Sequence, residues 1–151
     1  MNKQALILRG GVAIFLGVVI LVLNIFVFND KEDIDKIQII VNEKTLQVTL
    51  EDNKASKKLR EKLTETDLTI TMNDYENMAK IGNLDVTLPT SDQETTTKVG
   101  DLVLYQGNQL VLYYDTNTES MTKLGHIDIE KDELINILGN SDITLVLHLE
   151  K

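Results

Sequence analysis

The stretch "LGHID" holds the residue best suited to chemistry. His126 stands two residues before Asp128 there, and an imidazole beside a carboxylate can pass a proton or hold a ligand near neutral pH. The same spacing also fits a strand residue that faces water, because no nucleophile or second histidine partners His126 in sequence. His148, in "ITLVLHL", shares the polar face of its segment with Thr144 and is expected to be exposed.

Carboxylates are abundant enough to mislead. Asp128, Glu130, Asp132 and Glu133 suggest calcium, but the glycine required at the sixth loop position is missing, and the twelfth position falls on Gly139 where a glutamate is needed. Acidic residues at a helix start already have a reason in the macrodipole. Asp74 and Glu76 resemble an acid–base pair, yet spacing alone does not separate their proton affinities. Zero cysteines exclude disulfides, thiol nucleophiles and Cys-ligated zinc. The G-x-S-x-G, Walker, dinucleotide and H-E-x-x-H patterns are missing too, so hydrolase, nucleotide and zinc-protease readings lack their working parts. The sequence implies no metal and no cofactor.

The elements that must position these residues are mostly strands. "IQIIV" (37–41) and "LQVTL" (46–50) flank a polar turn, and in the second run Leu46, Val48 and Leu50 share one face. Asp52 or Asn53 can cap a helix in which Ala55, Leu59 and Leu63 recur every four residues, covering a sheet or barrel opening. "DLTITM" alternates strongly, with Leu68, Ile70 and Met72 inward. Residues 73–83 show no clean period and read as a long loop with at most a helical turn; "LDVTLP" then alternates until Pro89 ends it. Residues 90–98 read as a polar surface loop.

The hairpin "DLVLYQGNQLVLYY" is apolar on both sides. Leu102, Leu104, Leu110, Leu112 and Tyr114 line one face, and Val103, Tyr105, Val111 and Tyr113 the other, so a barrel interior on one side and a helix on the other are expected. Tyr105 and Tyr113 read as packing residues with hydroxyls reaching the rim, and Tyr75 as a loop residue that could form a binding platform. "MTKLGHIDI" gives another strand, "EKDELINIL" a short helix stopped at Gly139, and "ITLVLHL" a last strand. About eight short strands and two helices without βαβ alternation predict a mainly β fold, a closed antiparallel barrel capped by helices.

Ahead of these elements runs "GGVAIFLGVVILVLNIFVF", 19 residues from Gly10 to Phe28 with Asn24 its one strongly polar side chain. As a helix it spans about 28 Å, close to a bilayer's hydrocarbon thickness. Its end offers no small-x-small cleavage site, which favours a retained anchor over a cleaved signal peptide. Lys3 and Arg9 precede it and "NDKEDID" comes after, so the N-terminus is expected in the cytoplasm and the C-terminal domain outside the cell membrane. The predicted organisation is a short N-terminus (1–9), a transmembrane anchor (10–28), a stalk (29–36) and one domain (37–151). From Asp30 onward 13 Lys and Arg face 24 Asp and Glu, a formal charge of 13 − 24 = −11, which argues against nucleic acid as a partner.

Five blocks in order, "LTITMNDY", "GNLDVTLPT", "VGDLVLYQGNQLVLYY", "KLGHID" and "LINILGNSDITLVL", resemble the bacterial cyclophilin-like domain family. The resemblance covers about residues 37–150 and implies an eight-stranded barrel with two helices. Prolyl-isomerising cyclophilins use an arginine that weakens amide resonance beside an aromatic and apolar proline pocket. This chain departs from them. Phe15, Phe26 and Phe28 all lie in the anchor, tryptophan is absent, and the domain's sole arginine, Arg60, falls on the polar side of the first predicted helix. An amide barrier of about 18–20 kcal/mol falls only to a donor held at the right atom.

The expectation is therefore a membrane-tethered, extracytoplasmic binding module for a peptide or small ligand. Met72, Tyr75, Leu84 and His126 are its candidate ligand-binding residues, because they fall at strand ends or in the long loop beside the predicted barrel rim. A weak or atypical prolyl isomerase is the enzymatic alternative. A structural subunit of an envelope complex, contacting its partner through the membrane helix, is the third reading.

Overall fold

A computed structural model describes residues 35–151, so the expected anchor at 10–28 and the segment before it lie outside the described residues. Among the described residues no helix is long and apolar enough to cross a membrane. β1 (Lys36–Val41) buries Ile37, Ile39 and Val41, and meets β2 (Lys44–Leu50) through a two-residue turn. Asn42 and Glu43 both take positive φ there, which matches the right-handed twist of the paired strands.

α1 (Lys54–Glu65) starts at Asn53, whose side chain accepts the Ser56 N–H at 2.9 Å. Its Ala55, Leu59 and Leu63 enter the core. β3 (Leu68–Tyr75) runs three residues past the expected strand, and β4 (Ala79–Asn83) returns beside it. Residues 73–83 are thus a hairpin and not a long loop; Glu76 and Asn77 turn the chain at positive φ. Leu84 to Leu88 form no strand. Leu84 N–H donates to Asn108 O and Leu88 N–H to Gly107 O, each at 2.7 Å, so the segment straps a turn while Leu84 and Leu88 point into the core. Its alternation reports burial alone.

The strapped turn joins β6 (Asp101–Tyr105) to β7 (Gln109–Tyr113). β5 (Gln93–Thr96) arises in the polar stretch expected to be a loop, and pairs only with β8 (Thr118–His126). α2 (Lys131–Leu138) buries Leu134 and Leu138, and β9 (Ile143–His148) completes the set. Asn42 Nδ2 donates to Ile137 O at 2.7 Å, which seats α2 at the turn end of the first hairpin. α1 lies past the other end of β2, where Asn53 Nδ2 and Ser56 Oγ each donate at 2.7 Å to the carbonyls of Lys123 and Leu124.

The ring order is β2, β1, β9, β3, β4, β7, β6, β8, and β8 pairs back to β2, so eight antiparallel strands close a barrel with β5 attached outside. The hairpin β6–β7 divides as its sequence predicts: its leucines enter the interior core, while Val103, Val111 and Tyr113 form a second apolar cluster with Ala79 and Met121. The expected helix does not cover that outer cluster. Side chains from the β3–β4 hairpin, among them Tyr75, Met78 and Ile81, pack on it with Tyr105.

Closure depends on Gly125. A Cβ there would stand 2.6 Å from the Thr49 carbonyl oxygen and 2.7 Å from Val48 Cγ1. Gly125→Ala should therefore destabilise the chain by about 1–3 kcal/mol, as overpacking does, read as a lower urea midpoint monitored by tyrosine fluorescence. An unchanged midpoint would show that β2 can move aside freely.

Candidate functional site

Asp101 opens β6 on the outer side of the barrel, yet it is only 1 % exposed. Enclosing a carboxylate is costly unless donors replace its water, and three do. Lys98 N–H reaches Oδ2 at 2.9 Å, Lys123 Nζ lies 3.2 Å from Oδ1, and His126 Nδ1 meets the same Oδ1 at 2.7 Å. The register explains the meeting: His126 on β8 is the cross-strand partner of Asp101 on one side and of Thr49 on the other. A carboxylate only accepts, so Nδ1 donates to Oδ1 and fixes the plane of the ring, leaving Nε2 as the atom open to a ligand. Among the described residues Nε2 has no hydrogen-bond partner.

Lys123 links this pair to an open groove of about 440 Å³, which Glu51, Asn53, Gln93, Thr95 and Met121 also line. Its Nζ lies 3.5 Å from Glu51 Oε1, so one charge of each sign borders the groove. Thr49 sits across from His126, but among the described residues no hydrogen bond joins its hydroxyl to the imidazole. The arrangement suits ligand binding better than nucleophilic attack.

The four residues expected at a rim are not gathered into one site. Met72 is 0 % and Leu84 4 % exposed, both inside the interior core, where they offer no surface to a ligand. Tyr75 ends β3 half-buried against the outer apolar cluster. Tyr75 and His126 both reach solvent, and of the four only His126 makes a side-chain hydrogen bond among the described residues. Its partner is Asp101 and not Asp128, which is exposed two residues farther on. His148 is partly exposed, with Nδ1 2.9 Å from Asp67 Oδ1. Among the described residues no group of three or more His, Cys, Asp or Glu is placed to hold a metal ion.

Residues 39–150 match the Cyclophilin-like family. The chain belongs to that family. Among solved structures, the solution structure of a hypothetical protein from Archaeoglobus fulgidus superposes with a TM-score of 0.58 at 12% identity, covering 78% of this chain and 96% of that one. That likeness extends to the fold alone. No curated protein matches the sequence.

In this cyclophilin-like barrel Arg60 rides on α1, half-buried, with Nε enclosed and without a partner. It does not line the groove beside Lys123. A second polar cluster gathers Asp74 not with Glu76 but with Lys80 and Tyr114. β4 sets Lys80 opposite Leu112, and its side chain has no exposed surface. Nζ donates to Ser141 O at 2.9 Å and lies 3.5 Å from Asp74 Oδ1, which accepts the Tyr114 hydroxyl at 2.6 Å. An enclosed lysine gives a ligand no access, so this cluster braces the barrel.

The Tyr114 hydroxyl holds the Asp74 carboxyl below the usual carboxylate range; burial opposes it, while Asn77 N–H and Lys80 assist. Burial and the Asp74 contact in turn push the Tyr114 hydroxyl far up. A carboxyl depressed on folding contributes stability that is complete above its unfolded value and disappears as pH falls through the folded one. Tyr114→Phe should cost about 1 kcal/mol at pH 7, and the deficit should shrink below about pH 4. Urea titrations of both chains at pH 7 and pH 3 check this; a deficit that grows on acidification would contradict it.

Proposed function

We propose that the chain is a membrane-tethered, extracytoplasmic binding module whose ligand engages His126 on the outer wall of the barrel. The observation that carries this reading is the imidazole itself, oriented by an enclosed carboxylate, with Nε2 left without a hydrogen-bond partner among the described residues. Such pre-organisation spares a ligand the cost of ordering the ring. Glu51 and Lys123, which border the groove that adjoins the Asp101–His126 pair through Lys123, favour a small zwitterion or the end of a peptide, which offers an ammonium and a carboxylate together. The tether rests on the 19-residue apolar run, and the outward orientation on Lys3 and Arg9 before it and acidic residues after it.

Absence of cysteine makes the topology simple to test. Glu94→Cys in the full chain should react with a membrane-impermeant maleimide on intact cells, and Asn2→Cys should react only after lysis. The reverse pattern would overturn the orientation. For binding, free dipeptides titrated against the full chain in lipid nanodiscs should shift the His126 Nε2 resonance saturably. His126→Ala should abolish the accompanying amide shifts, and silence across a panel of dipeptides would sink the assignment.

A further inference from the structure

β5 gives this closed barrel what closure ordinarily removes, a free strand edge. It stands at the end of the strand order, paired along Gln93–Thr96 with β8 and, among the described residues, with no strand on its other side. The phase of the ladder shows which backbone groups that edge offers. Thr97 N–H donates to Asn117 O at 2.8 Å, one step past the Thr96–Thr118 pair, so Gln93 and Thr95 are the β5 residues that exchange bonds with β8. The amides and carbonyls of Glu94 and Thr96 therefore point away from β8, and both residues are exposed. Among the described residues no backbone group outside the ladder bonds to either. Neither a proline nor a register shift blunts the edge, and its one charge is Glu94.

We infer that this edge docks against the same edge of a second copy of the chain, β5 antiparallel to β5, about a two-fold axis at Thr95. A two-fold contact uses one surface twice, so its register must be self-complementary. Outward groups must meet outward groups, which leaves three centres. An axis at Glu94 sets two carboxylates directly opposite each other, which is destabilising. An axis at Thr96 needs the Lys98 N–H for the new ladder, and that N–H is already given to Asp101 Oδ2 at 2.9 Å. An axis at Thr95 faces Glu94 with Thr96 of the second copy, and brings exposed Asp92 opposite exposed Lys98 at both ends. The Thr122 hydroxyl holds Asp92 Oδ1 at 2.6 Å, so this carboxylate is already fixed beside the edge with Oδ2 left to accept. These matched ends favour a second copy over an unrelated strand. The contact supplies about four backbone hydrogen bonds, so it is weak and depends on concentration. Because Thr95 also lines the groove beside Lys123, the axis sets two such grooves side by side.

The chain has no cysteine, so single cysteines report the register directly. Across the axis the two Thr95 residues form a pair without backbone bonds, with Cα atoms about 4.5 Å apart and within the span of a disulfide. Position 94 or 96 stands more than about 8 Å from its own copy. On mild oxidation of the full chain in detergent, Thr95→Cys should form a disulfide dimer at least tenfold faster than the more exposed Glu94→Cys or Thr96→Cys. Lys98→Glu added to Thr95→Cys should slow the dimer several-fold, and Asp92→Lys added to both should restore it. Glu94→Pro in the Thr95→Cys chain removes an N–H that the β8 ladder does not use, and should abolish the dimer while the amide spectrum of the eight-stranded ring is kept. His126→Ala should leave the rate as it is, which separates this contact from the site proposed above. Equal rates at 94, 95 and 96, no rescue by the charge exchange, full cross-linking of the Glu94→Pro chain, or a monomer whose β5 amides respond to an unrelated extended peptide would each overturn the assignment.

Discussion

Two cross-strand pairs, Thr49 with His126 and Leu50 with Gly125, turn an open sheet into a ring. So short a ladder holds because the strands approach closely, and the approach needs a residue without a side chain at 125. A register shift between Leu102 and Val103 on the opposite edge of β8 accompanies it. Irregularities of this kind bend a strand and re-aim the side chains beyond the bend. Closure and site are thus one event: the same residue that seals the barrel against β2 is delivered to Asp101 on β6.

The sequence spoke clearly where side chains alternate against a single apolar interior. β1, β2, the first half of β3 and both helices obey that pattern, and the β6–β7 hairpin was legible as two-faced because both of its sides are apolar. It fell silent where a polar residue takes an inward place. Lys80 occupies the interior side of β4 opposite Leu112, so the hairpin from 73 to 83 has no period to read. It misled at Leu84 to Leu88, because a strap across a turn can bury every second residue without joining a sheet. β5 is polar throughout and is a strand only because β8 lies beside it.

The candidate site was half legible for the same reason. His126 was visible as a residue type, but its partner lies 25 positions away, and the register that joins them belongs to the β6–β8 ladder. Asp101 carries no local mark of burial among so many acidic neighbours. Its enclosure, like that of Lys80, is tolerable because fixed donors or acceptors surround the charge. The two groups do different work: Asp101 orients an imidazole that reaches solvent, and Lys80 ties β4 to the link between α2 and β9.

β5 hangs on the ring through β8 alone, yet Gln93 and Thr95 form part of the groove beside Lys123. Four ladder pairs and the hydroxyl contact between Thr96 and Thr118 hold it, with Thr122 pinning Asp92 and Ser91 ahead of it. A strand outside the closed circuit can peel away at a fraction of the global unfolding free energy, leaving the eight-stranded ring whole. Fraying of β5 alone would widen that groove like a lowered sill, without opening the cylinder.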